Sequence, residues 1–135
     1  MSGIKDLNQL LAAIQPNLLD EAFVFCTVTG HLNQYLALEP IATFMEAEGL
    51  TLVLAKDKAD KAGLHYEGIF RQITLTVHSS LQAVGLTAAV STKLASKGIS
   101  ANVIAAYYHD HIFVSHDKAE AALIALKELS NESKI

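Results

Sequence analysis

Between Phe70 and His78 the side chains alternate, with Ile73, Leu75 and Val77 on one side of the backbone and Gln72, Thr74, Thr76 and His78 on the other. A period of two is the pattern of a strand with a single buried face. The residues after this strand constrain the fold further. Leu86, Ala89, Val90 and Leu94 form a helical stripe, and Gly98 is placed to end that helix with Ile99 packing back on its last turn. The apolar runs Ala101 to Tyr108 and His111 to Val114 flank His109-Asp110, which predicts a hairpin with its turn at those two residues. Asp117 and Glu120 have capping-box spacing, and Ala119, Ala122, Leu123, Leu126 and Leu129 then make the buried face of a last helix, leaving Ser130 to Ile135 as a frayed tail. The order is β-α-β-β-α, a ferredoxin-like unit short of one terminal strand.

The first half is less regular. Leu7, Leu10, Leu11 and Ile14 share one helical face, with Pro16 closing the helix. Ala22 to Val28 is a dense β-branched and aromatic run, predicting a strand covered on both faces and ended by Gly30. Gly30 to Pro40 reads as a connection. Ile41 to Met45 and Leu50 to Ala55 read as a hairpin through Glu46-Ala47-Glu48-Gly49, with a turn of helix as the alternative for the first run, and Lys56 to Ala62 as a short helix stopped by Gly63. The expected class is therefore α+β, with two units per chain, residues 1–64 and residues 65–135, of antiparallel strands and helices packed on one face. An incomplete unit leaves an open sheet edge, so the segment His65 to His78 is a candidate to serve both halves, or a second copy to complete an edge.

Composition narrows the partners. At 135 residues the chain holds a real core, and 51% hydrophobic against 18% charged residues is too apolar for disorder. Charges interrupt every segment, and the first residues lack a secretory pattern, so the expectation is a cytoplasmic protein with no membrane partner. A net charge of -4, with ten basic residues spread singly, offers no stripe for a phosphate backbone, and no nucleic-acid partner is expected. The single cysteine, Cys26, lies in an apolar run and reads as a buried inert thiol.

The segment Gly85-Leu86-Thr87-Ala88-Ala89-Val90-Ser91-Thr92-Lys93-Leu94-Ala95-Ser96-Lys97-Gly98-Ile99-Ser100 is similar to the first helix of ACT domains, where a glycine opens the helix, Leu-Ala follows nine residues later and Gly-Ile ends it. The resemblance covers about residues 70 to 130. The run Tyr107-Tyr108-His109-Asp110-His111-Ile112-Phe113-Val114 resembles that of a small bacterial tandem-ACT family, and aspartate kinase regulatory regions and CASTOR-type sensors pair ACT units similarly. Many ACT domains carry Asp-x-Pro-Gly at the strand-to-helix turn. Here Gln82-Ala83-Val84-Gly85 stands in its place, without the acidic side chain that often meets a ligand amine. The resemblance implies a regulatory or sensor protein, not an enzyme, that binds an amino acid or similar metabolite and associates as a dimer or higher homo-oligomer.

The candidate ligand site is the turn into the second-half helix: His78, Ser79, Ser80, Gln82, Ala83, Val84, Gly85, Leu86 and Thr87. A helix start exposes unpaired N–H groups and a partial positive charge that suit a carboxylate, and short polar side chains could orient the rest of an amino acid. Against this, every helix start has that chemistry, and Gly85 could simply avoid a clash. The site is expected between the two units or at a dimer interface, with a segment of the first half facing it. Among the six histidines, His109 and His111 could share a face and chelate a metal, although a turn at His109-Asp110 would break that alternation, and surface histidines are the default. No cofactor loop, catalytic serine motif or C-x-x-C is present, and no cofactor is expected.

Overall fold

The computed structural model describes residues 6–134. It divides into two units, one formed by the chain up to Leu19 together with Arg71 onward, the other by Asp20–Phe70.

In the first unit, α1 (Leu7–Ala13) is started by Asp6, whose Oδ1 accepts from Gln9 N at 2.9 Å. The helix ends at Ala13, so Pro16 does not close it. With its φ already extended, Pro16 instead opens β1 (Pro16–Val28), a strand beginning six residues earlier than the apolar run suggested. The start of β1 lies against β4 (Phe70–Leu75): Thr76 donates from its amide and its hydroxyl to Gln15 O, and Arg71 Nε donates to Leu19 O at 2.8 Å. Strands follow in the order β1-β4-β6-β5, with β5 at Asn102–Ala105 and β6 at Asp110–Ser115. The unit is thus a complete ferredoxin-like βαββαβ frame in which the N-terminal part of β1 fills the last strand position. Helices α1, α3 (Leu86–Ser96) and α4 (Ala119–Glu132) share one core with Ile73, Leu75, Ile112 and Val114. Alternation in β4 and β6 puts those four residues on the helix side.

Gly98, at φ +73°, ends α3 as expected, and Ile99, buried, donates its amide to Leu94 O at 3.0 Å. Three local readings are corrected. The β5–β6 turn is not at His109-Asp110: Ala106 N bonds to His109 O, the tip is Tyr107-Tyr108, and Asp110 already begins β6. Asp117 and Glu120 form no capping box, because His116–Lys118 is a short 3-10 turn in which Asp117 accepts from Ser115 Oγ at 2.6 Å. Nor does a frayed tail begin at Ser130. Its hydroxyl is buried, 3.1 Å from Ala12 O and 3.4 Å from Ile14 O, at carbonyls that the end of α1 leaves without helical partners.

The second unit holds the rest of β1 with β2 (Ala42–Glu46) and β3 (Gly49–Ala55), in the order β2-β3-β1. Pairing is antiparallel, Phe23 opposite Ala55 through Val28 opposite Leu50, and Ala42 opposite Val53 through Glu46 opposite Gly49. Helix α2 (Lys56–Lys61) places Ala59 on a core of Val24, Cys26, Leu50, Leu52 and Leu54. The connection from Gly30 to Pro40 is two 3-10 turns, Leu32–Gln34 and Leu36–Leu38, and from it Tyr35 and Leu38 pack on the same core.

Candidate functional site

Strand β4 stops at Leu75, and ten residues lead from it to α3. Ser79 and Ser80 turn this segment: Ser80 accepts from Gln82 N through Oγ at 3.1 Å and from Ala83 N through its carbonyl at 3.0 Å. Gly85 is the residue before the helix, at φ +99°, where an L side chain is strained. A Cβ there would also stand 3.0 Å from the Leu7 Cδ2 methyl, so close packing against α1 is a reason for the glycine that needs no ligand. Having no side chain, Gly85 cannot cap α3. The first helical bond runs from Ala89 N to Gly85 O, and among the described residues no group accepts from the amides of Leu86, Thr87 or Ala88.

Beside this helix start lies a cleft of about 150 Å³ lined by Ser79, Ser80, Leu81, Ala83, Gly85, Leu86, Thr87, Ala105 and Asp110. All of these belong to the first unit. Ser79 is buried and Thr87 exposed. Of the residues expected at a site, Gln82, Val84 and His78 do not line it. Val84 is 83% exposed, and His78 lies against the rings of Tyr108 and Tyr107, with centroids 5.3 and 6.3 Å away.

Asp110, weighed from the sequence only as an oxygen donor beside His109 and His111, lines this cleft instead. At the start of β6 it shares the helix-side parity of Ile112 and Val114, so its carboxylate joins the wall of the cleft that α3 opens onto. Burial pushes its carboxyl above the ordinary aspartate range, partly offset by His111 and His109. One wall therefore offers uncapped amides and hydroxyls to an anion, and another offers an acid to a cation.

The histidines beside it do other work. His111 Nδ1 lies 2.9 Å from Thr74 Oγ1 and 3.1 Å from Gln72 Nε2, on the sheet face away from the helices. The Gln72 amide has hydrogens to donate, so a neutral ring accepts there, and burial first, then His109, hold the His111 pKa below its usual value. His109 Nδ1 is 3.3 Å from Val77 O. Among the described residues no three His, Cys, Asp or Glu groups gather to hold a metal ion. No helix of the described residues is long and apolar enough to cross a membrane. Burial raises the Cys26 thiol pKa, as an inert core position requires.

The sequence matches one ACT-domain model over residues 2–71 and another over residues 68–128. The chain belongs to the ACT-domain family. A Vibrio cholerae protein of unknown function, described as a possible transport protein, is 62% identical over 96% of this chain and 99% of its own, with a TM-score of 0.86. The ligand-free regulatory subunit of aspartate kinase from Thermus thermophilus has the same fold at 16% identity, with a TM-score of 0.62 over 87% of this chain and 98% of its own. A protein from Agrobacterium tumefaciens is similar at 14% identity, with a TM-score of 0.68 over 87% of this chain and 89% of its own. No curated protein matches the chain significantly. The chain carries two ACT domains in tandem, a type of domain that is typically a regulatory ligand-binding module.

Proposed function

We propose that this protein is a non-catalytic regulatory or sensor module of the cytoplasm, acting as a homo-oligomer, that binds a small amino acid in the cleft between the start of α3 and the start of β6. The observation that carries this reading is that Leu86 and Thr87, at the uncapped start of α3, and the half-buried Asp110 line the same small cleft. The amides of Leu86 and Thr87 suit an α-carboxylate, and Ser79 and Ser80 can hydrogen-bond to it. Asp110 takes the α-ammonium, the task left open by Gln82 at the turn. A cleft of about 150 Å³ favours a compact ligand over a long one. Binding changes the relative stability of two conformations by the ligand's difference in affinity for them, and regulation needs nothing more.

Thermal unfolding in the presence of each of the twenty amino acids tests the reading. A ligand at about one hundred times its Kd stabilises by about 2.7 kcal/mol, a rise of several degrees that one or a few small amino acids should produce. Asp110→Asn should abolish the rise while keeping the fold, since it removes a partly buried charge that burial disfavours. Gly85→Val is the weaker probe because it collides with Leu7. A flat panel, or a rise unchanged in Asp110→Asn, overturns the site. Affinity should also fall with acid as Asp110 takes up its proton, starting at a higher pH than for an ordinary aspartate.

A further inference from the structure

Thr74, Ser79 and Ser130 are polar residues buried to more than nine-tenths. Two of them are satisfied by the fold: Thr74 Oγ1 meets Gln72 and His111, and Ser130 Oγ meets the carbonyls that end α1. Ser79 is not. It is 8% exposed, and among the described residues its hydroxyl has no hydrogen-bond partner. Folded proteins keep few buried hydroxyls unpaired, because each forfeits its bonds to water. Beyond β4 the alternation of Ile73 and Leu75 continues through buried Val77 to Ser79, which turns the serine to the helix side and into the wall of the α3 cleft. Ser80 is under no such demand, being partly exposed with its Oγ already accepting from Gln82 N.

We propose, on the footing that the cleft takes an amino acid, that Ser79 determines its specificity: the hydroxyl donates to the α-carboxylate of an amino acid whose side chain is short and uncharged. An ionised carboxylate has about four acceptor sites. The amides of Leu86 and Thr87 fill two of them, and a hydroxyl with nothing else to donate to fills a third. The charges of the cleft set the class of side chain. Asp110 is the one formal charge in its walls, which among the described residues include no lysine, arginine or histidine. A second carboxylate on the ligand would therefore stand near Asp110 with no cation to offset it, which disfavours acidic amino acids. A second ammonium would find no second acid, and a chain as long as that of lysine is too large for about 150 Å³. Leu81, Leu86 and Ala105 leave an apolar wall for a short neutral side chain.

Calorimetric titration of the full chain tests this, with glycine, alanine, serine and valine as the short neutral ligands and aspartate and lysine as the charged ones. At least one neutral ligand should bind the native protein ten times or more as tightly as either charged one. Ser79→Ala should weaken that ligand roughly tenfold or more, as expected for a hydrogen bond to a charged group. The melting temperature of the free variant should stay at or above the native value, because the hydroxyl removed had no partner to lose. A merely structural serine gives the reverse pattern, a lower melting temperature with affinity unchanged, and that result overturns the inference. Asp110→Asn separates the two levels. If it abolishes binding while Ser79→Ala binds within about twofold of native, the role of Ser79 falls and the cleft remains an amino-acid site. Aspartate or lysine binding as tightly as the neutral ligands overturns the class of ligand. Native protein that binds none of the four neutral ligands overturns the inference, and protein that binds none of the twenty overturns the function proposed above as well.

Discussion

His111 and Asp110 are neighbours in sequence that turn to opposite faces of β6, and each is held away from its usual protonation by burial. Their effects on stability have opposite signs. The His111 pKa is lowered on folding, so its contribution is present above the free histidine value of 6.5 and is lost as pH falls through the folded value. The Asp110 pKa is raised, so its contribution is present below the free value of 3.8 and is lost as pH rises through the folded value. The aspartates and glutamate with lowered pKa values, Asp60, Asp117 and Glu39, lose their contributions only in the carboxylate range. Denaturant unfolding at a series of pH values from 7 downward should therefore show stability falling below pH 6.5 by less than about 1.4 kcal/mol per pH unit. In His111→Gln, which keeps a hydrogen-bonding partner for Thr74 and Gln72, that slope should flatten. That Asp110 lines the α3 cleft was not legible because the sequence placed it in the hairpin turn, where an aspartate reads as solvent-facing. Moving the turn to Tyr107-Tyr108 puts the same carboxylate in a strand with fixed facing.

Among the elements, α3 and the β2–β3 hairpin were legible because their signals are local: a stripe with a glycine stop, and two apolar runs around a polar turn. The end of α4 was not, because what orders it comes from the other end of the chain. Helix α4 runs to Glu132, and Ser130 meets the carbonyls ending α1, more than a hundred residues away. No periodicity announces such a bond. The face of α4 is also turned from the one expected: Ala125 is fully buried while Leu123 and Leu129 are only partly so, and small residues let the helix lie close to its neighbours. Ser130→Ala should cost about 1–2 kcal/mol by leaving two buried carbonyls short of a donor, measured as a shift in urea midpoint at constant slope. Gly98→Ala should cost about 1 kcal/mol, since space is open around it and only the left-handed backbone resists a methyl group. Together these variants separate a long-range cap from a local one.

At the scale of the molecule, order along the chain and order in space differ. The family models meet near residue 70, and the spatial units exchange chain at two places, Leu19 to Asp20 and Phe70 to Arg71. Strand β1 is the reason: thirteen residues long, it gives its first residues to one unit and the rest to the other. Sequence reading anticipated an unfilled strand position but looked for its occupant around residues 65–78, because the start of β1, Pro16-Asn17-Leu18-Leu19, lacks the dense β-branched signal of residues 22–28. A fragment of residues 65–135 therefore carries β4, α3, β5, β6 and α4 without the strand beside β4 and without α1. It loses Leu10, Leu11 and Ile14 from the core, each worth about 1.5–3 kcal/mol of burial, which together rivals the 5–15 kcal/mol that holds a typical domain folded. The side of β4 from which Arg71 and the adjoining Thr76 donate to Leu19 O and Gln15 O is left open as well. That fragment alone should unfold without a cooperative transition, and mixing it with residues 1–64 should restore one, as monitored by near-ultraviolet circular dichroism through a thermal ramp. If residues 65–135 melt cooperatively by themselves at close to the temperature of the whole chain, the borrowed strand and α1 are dispensable, and the C-terminal ACT domain is complete without them.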